Sequence, residues 1–122
     1  MKVQIVEDDA VVLQALKFKL TKEGFTVMTY NNVADAINNI NEFNPDVIIT
    51  DILMPHTSGL ELIGMVKSRG GKKIPIIVLS SIGEEDTIME AFQLGADDFI
   101  TKPFNPIELS IRIKKILNKK VG

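Results

Sequence analysis

The chain contains no cysteine and no tryptophan, one tyrosine and one histidine. Without cysteine there are no disulfides, no thiolate metal sites and no cysteine nucleophile. No apolar run approaches the ~20 residues that cross a bilayer. The start, Met1-Lys2-Val3-Gln4, is not a signal peptide, because acids arrive at Glu7 before a long apolar stretch can form. Charge of one sign is missing too: 14 basic against 16 acidic side chains give a net charge of −2. That balance argues against nucleic acid binding by this chain alone. At 122 residues and 45% hydrophobic the chain is neither disordered nor fibrous. The expectation is one cytoplasmic globular domain over residues 1–122.

Four short Ile/Val-rich runs, Val3–Val6, Val47–Thr50, Ile76–Leu79 and Asp98–Thr101, read as buried strands. A fifth, Phe25–Tyr30, is more polar, as an edge strand is. Between them the helical period recurs: Val33, Ala36, Ile37, Ile40; then Ile88, Ala91, Phe92; then Leu109, Ile113, Ile116, Leu117. Gly24 suits a left-handed helix end. Ser58-Gly59-Leu60-Glu61 and Ser81…Glu84 fit capping boxes, and Asn105-Pro106-Ile107-Glu108 has a cap residue followed by proline at the first helical position. Glu84-Glu85-Asp86 marks a first helical turn, and Arg69–Lys73 is a loop. Five β-α repeats imply a doubly wound α/β sandwich with right-handed crossovers.

Ligands of such sheets sit beyond the carboxyl ends of the strands. There the first strand runs into Glu7-Asp8-Asp9, the third into Asp51, the fourth into Ser80-Ser81 and the fifth into Lys102. Clustered carboxylates repel unless a cation joins them. An all-oxygen set with one or two carboxylates, a carbonyl and waters suits Mg²⁺. Lys102 adds a point charge and Ser80 a hydroxyl, and the combination points to phosphoryl transfer onto a carboxylate.

Each group also has an ordinary explanation. Glu7, Asp8 and Asp9 suit the start of a helix, Asp51 a turn, Ser80 and Ser81 a helix start, and Lys102 a solvated loop. Their coincidence at one rim outweighs those explanations. His56, in Pro55-His56-Thr57-Ser58, reads as an exposed turn and not a metal ligand. Lys114, Lys115, Lys119 and Lys120 read as the wet face of the last helix, and Met54 as core.

Val6-Glu7-Asp8-Asp9, Asp51-Ile52-Leu53-Met54-Pro55, Ser80 and Thr101-Lys102-Pro103-Phe104, in this order, resemble a response regulator receiver domain over essentially the whole chain. The resemblance implies a flavodoxin-like (βα)5 fold, its five-stranded parallel sheet ordered 2-1-3-4-5. It implies Asp51 as phosphoacceptor, and Mg²⁺ held by Asp8, Asp51 and the Leu53 carbonyl, assisted by Glu7. Ser80 and Lys102 would bind the phosphoryl group, with a cis Lys102–Pro103 bond. Phe99 would be the switch aromatic, moving as Ser80 moves and altering the face made by helix four, strand five and helix five. Where the family also uses tyrosine, phenylalanine lacks a hydroxyl.

The implied partner is a sensor histidine kinase, and the implied activity is confined to the domain's own phosphorylation and dephosphorylation. Gly95-Ala96-Asp97-Asp98-Phe99 and Glu108–Arg112 resemble the subgroup with a winged-helix DNA-binding output domain, in which Asp97, Asp98, Glu108 and Arg112 join receivers into a dimer. Helix four departs from that subgroup, with Ile88, Met89 and Glu90 where basic partners are expected. Leu53 and Ile82 would flank the path of an attacking water without orienting it, so slow self-dephosphorylation is expected. A phosphorylation-independent module has no need of the acid, hydroxyl and lysine set. A flavodoxin-like redox protein would need a phosphate cradle where this chain has three acids.

Overall fold

The computed structural model describes residues 1–54 and 57–121, with the side chains of Thr57 and 119–121 outside that description. The readings of Pro55 and His56 as an exposed turn, and of Lys119 and Lys120 as a wet face, therefore lie outside the described residues. Strands and helices alternate: β1 (Lys2–Val6), α1 (Ala10–Lys22), β2 (Thr26–Tyr30), α2 (Val33–Phe43), β3 (Val47–Asp51), α3 (Gly59–Ser68), β4 (Ile76–Ser80), α4 (Glu85–Leu94), β5 (Asp98–Thr101) and α5 (Pro106–Val121). All neighbouring strands of the sheet pair in parallel, in the order β2-β1-β3-β4-β5. A two-stranded antiparallel ribbon, Leu53–Met54 against Thr57–Ser58, follows β3. Counted with its two strands, the sheet order along the chain is 2-1-3-6-7; the ribbon is too short for hydrophobic periodicity to reveal.

Alternation along each strand sorts the core into two layers. Val3, Ile5, Val47, Ile49, Ile77 and Leu79 pack with Leu13, Leu16 and Leu20 of α1 and Leu109, Ile113 and Leu117 of α5. Val6, Ile48, Ile76 and Val78 pack with α2, α3 and α4. Both faces of β3 and β4 are covered, so their sequences read as continuous apolar runs. Gln4, fully buried on β1, breaks that rule: its Nε2 donates to the Ala36 carbonyl at 3.1 Å, while Oε1 has no partner among the described residues.

The helix ends follow local chemistry. Asp9 caps α1, accepting from the Val11 and Val12 amides at 2.9 and 3.2 Å, and Gly24 takes φ +97° beyond its C-terminus. Ser58 accepts from the Leu60 amide at 3.1 Å, and Asn105 from the Ile107 amide at 2.9 Å ahead of Pro106. The Ser81…Glu84 pair differs from expectation. Glu84 does accept from the Ser81 amide, but α4 begins only at Glu85. The Glu84 amide bonds the Ser81 carbonyl at 3.3 Å and Gly83 takes φ +96°, which makes a turn rather than a helical one.

Past the end of α1, Glu23 ties that helix to α5. It accepts from the buried Ser110 hydroxyl and from Lys114 at 2.9 Å, with Lys19 at 3.6 Å. The Ser110 and Lys114 hydrogen bonds hold its carboxyl down at about 2. A depressed carboxylate contributes stability that is present above the ordinary glutamate range and is lost as pH falls toward 2. Glu23→Gln is therefore expected to be less stable than wild type at neutral pH and to converge with it near pH 2, read by urea unfolding across that range. Parallel curves at every pH would show that the Glu23 charge contributes nothing.

Candidate functional site

Parallel topology brings the carboxyl ends of β1, β3, β4 and β5 to one rim. Four separate sequence positions meet there. One ligand oxygen from each of Glu7, Asp8 and Asp51 lies within 4.8 Å of the others, with Glu7 and Asp51 buried and Asp8 exposed. Lys102 enters from the far side of the sheet, its Nζ 2.7 Å from Asp51 Oδ1 and 2.8 Å from Glu7 Oε2. The Lys102–Pro103 peptide is cis.

The three consecutive acids after β1 separate by direction. Glu7 points into the rim and accepts the Asp9 amide at 3.1 Å, while Asp9 turns away to cap α1. The capping explanation thus holds for Asp9 and fails for Glu7, whose side chain is sealed from solvent.

Burial, with the Glu7 carboxylate beside it, pushes Asp51 up to about 8 against the pull of Lys102. For Lys102, burial opposes the charge, but the two carboxylates hold its pKa above the ordinary lysine value. One ammonium cannot fully offset two buried carboxylates and a third at the edge, so the site favours a further cation or a proton. Its donors are all hard oxygens, and Glu7, Asp8 and Asp51 can hold a divalent metal ion.

Ser80 is 1% exposed and its Oγ has no hydrogen-bond partner among the described residues. Buried hydroxyls are ordinarily bonded, so this one is a donor at the rim in want of an acceptor. The backbone holds it there, the Lys102 amide donating to the Ser80 carbonyl at 2.6 Å. Phe99, on β5, is partly exposed and meets Phe92 of α4 edge-on, ring centres 5.9 Å apart. Beside it lies a concavity of about 240 Å³ lined by Ser81, Ile82, Glu85, Ile88, Phe99 and Thr101. Leu53 and Ile82 are exposed apolar side chains on the ribbon and the β4–α4 turn, 50% and 83% accessible. Met54 is core, as expected.

The acids and arginine expected to join two copies are engaged within one chain. Asp97 accepts from Lys67 at 2.9 Å and from the Ile76 amide at 2.8 Å. Arg112 binds Asp98 at 2.8 Å and Glu108 at 3.1 Å.

One positioning residue escaped the sequence reading. Gly59, the first residue of α3, donates its amide to the Ile52 carbonyl at 2.9 Å, and a Cβ built on it would stand 2.1 Å from the Asp51 carbonyl oxygen. The only sequence signal is a glycine at a helical position open to nearly any residue. Thr50 Oγ1 donates to the same Asp51 carbonyl at 3.0 Å. Gly59→Ala is expected to cost about 1–3 kcal/mol in chemical denaturation and to displace the Asp51 backbone. Wild-type stability together with an unmoved Asp51 amide resonance would show that the close approach imposes no constraint.

The family model for the response regulator receiver domain matches residues 3–114. The chain is 36% identical over 119 residues to the phosphate regulon transcriptional regulatory protein PhoB of Klebsiella pneumoniae, covering 97% of this chain and 52% of that protein. It is 35% identical to the transcriptional regulatory protein ResD of Bacillus subtilis, covering 97% and 48%. With the transcriptional regulatory protein KdpE of Staphylococcus aureus it shares 41% identity, covering 94% and 49%. The chain thus spans about half the length of these relatives. Among solved structures, the receiver domain of the TMAO respiratory system response regulator TorR superposes with a TM-score of 0.90 at 30% identity, covering 97% of each chain. A two-component response regulator from Clostridium difficile gives 0.92 at 27% identity, covering 100% of this chain and 99% of that one.

Proposed function

The chain belongs to the response regulator receiver family, and from that we propose that it is a phosphorylation switch in which Asp51 accepts a phosphoryl group from a sensor histidine kinase. The observation that carries this reading is the pairing of a buried carboxylate at the end of β3 with Lys102 at 2.7 Å, at the rim where β4 ends in Ser80, whose hydroxyl has no partner among the described residues. Asp51 Oδ attacks phosphorus, the bond from phosphorus to the donor nitrogen or acyl oxygen breaks, and the donor leaves with the electron pair. Attack needs the ionised carboxylate. Lys102 favours that form directly, and so does any cation among the acids. Asp8, Asp51 and the Leu53 carbonyl, with Glu7 assisting, would hold Mg²⁺, which supplies Lewis-acid polarisation of the phosphoryl oxygens. Lys102 then pairs with one phosphoryl oxygen and the Ser80 hydroxyl donates to another. The chain turns over no metabolite in this scheme.

Relay follows from what lies next to Ser80. Movement of that hydroxyl toward the phosphoryl group would free space near the concavity beside Phe99, and the ring moves in. The readout face is then α4, β5 and α5, where Met89, Phe92, Ile107 and Ile111 are exposed. Control of transcription, through an output domain or a partner protein, is supported by the likeness to PhoB, ResD and KdpE. Pairing of two receivers through this face by Asp97, Asp98, Glu108 and Arg112 would require Arg112 to exchange its own acids for those of a second copy, and Asp97 to give up Lys67.

With acetyl phosphate and Mg²⁺, intact mass is expected to show a single base-labile phosphoryl adduct, absent without Mg²⁺ and absent in Asp51→Ala. No adduct in wild type, from acetyl phosphate or from a histidine kinase, would overturn the reading, and an adduct persisting in Asp51→Ala would move the site.

The lifetime of the adduct gives a second test. Leu53 and Ile82 offer no hydrogen bond to an attacking water, so decay is slow. Leu53→Asn should change the decay rate by about tenfold, on the order of 1.4 kcal/mol in barrier, and identical decay in the two proteins would contradict this.

A further inference from the structure

The two edges of the sheet are finished differently. At β5, the Phe99 amide is taken by Asp98 Oδ1 at 2.8 Å and its carbonyl receives Arg112 Nη1 at 3.2 Å. Charged Asp97, Asp98 and Lys102 stand on or beside that strand. At β2 nothing equivalent is present among the described residues. Gly24 through Ala34 contains no charged residue and no proline, so neither of those two protections blunts this edge.

The register fixes which backbone groups are left over. The Thr26 amide bonds the Met1 carbonyl and the Glu7 amide bonds the Tyr30 carbonyl, both at 3.0 Å, with Lys2 opposite Thr26 and Val6 opposite Tyr30. Peptide groups alternate along a strand, so Thr26, Met28 and Tyr30 face β1, and Val27 and Thr29 face outward. Among the described residues no group bonds the outward amides or carbonyls of Val27 and Thr29.

We infer that this edge is an interaction surface whose occupant is the same strand of a second copy of the chain, paired antiparallel about a two-fold axis at Met28. In that register the Val27 amide donates to the Thr29 carbonyl of the second copy, and the Thr29 amide donates to its Val27 carbonyl. The axis repeats both, giving four hydrogen bonds from the Val27 and Thr29 amides and carbonyls of the two copies. The two Met28 side chains, 43% exposed in the single chain, become a directly opposed pair at the closer cross-strand spacing, and Thr26 faces Tyr30. A two-fold contact closes on itself, whereas parallel addition would leave a new edge. With no charge on the strand, opposing two copies of it brings no like charges together within the ladder. The interface is separate from the α4, β5 and α5 face and does not depend on phosphorylation.

Sedimentation across a concentration series, with amide exchange followed residue by residue, tests this. Wild type is expected to dimerise, with the Val27 and Thr29 amides slowing as concentration rises and the Phe99 amide unchanged. Met28→Lys, an exposed side chain, opposes two ammonium groups across the axis. Thr29→Pro removes an outward donor that no intrachain bond uses. Each is expected to weaken association about tenfold or more, with the far-UV circular dichroism of wild type; should Thr29→Pro misfold, Met28→Lys carries the test. A chain that stays monomeric throughout, with Val27 and Thr29 amides exchanging fast, overturns the inference. So does a dimer unaffected by either variant but dissolved by Ile111→Glu on α5.

Discussion

The ammonium of Lys102, shared between Asp51 and Glu7, is the interaction on which the rest of the rim depends. Two carboxylates buried side by side disfavour one another's charge, and desolvation adds to the cost. Lys102 offsets part of it from the opposite side of the sheet. The residues are far apart in sequence, so the pairing exists only if β1, β3 and β5 all run the same way and stop level. The apolar runs and right-handed crossovers enforce that geometry. The residual imbalance pushes Asp51 up to about 8, a cost that a cation among the acids would relieve. The bare site favours a proton on Asp51, so a cation and that proton compete.

Around this pair the chain holds the Asp51 backbone tightly. Gly59 admits α3 to van der Waals range of the Asp51 carbonyl, and Thr50 bonds the same oxygen. The Ser80 hydroxyl, by contrast, is buried without a partner among the described residues. In the proposed switch the oxygens of a phosphoryl group would complete that arrangement, and the concavity beside Phe99 begins at Ser81, one residue past the end of β4.

Much of this was legible in the sequence because it rests on period and punctuation. Apolar runs located all five strands of the sheet, and Asn105-Pro106 located the start of α5. The rim residues followed from the strand ends. Where the reading stopped, a nonlocal or subtle cause was at work. Glu7 and Asp9 are both acids just beyond β1, and only the turn of the backbone from β1 into α1 sends one inward and the other to a helix cap. Gly83 diverts the Ser81…Glu84 pair into a turn although its residue types suit a capping box. Gly59 matters because of an oxygen eight residues away across the fold. Nothing local reveals that Gln4 is buried, or that Asp97 is consumed by Lys67 and Arg112 by Asp98 and Glu108.

The most direct measurement is a carbon-13 carboxyl titration of Asp51 by NMR, without and with Mg²⁺. In the metal-free protein the Asp51 midpoint is expected far above the ordinary carboxylate range, at about 8, with a large drop when Mg²⁺ is added. A midpoint near 4 in both conditions would contradict that expectation, since Asp51 would then be neither strained by burial beside Glu7 nor linked to a cation.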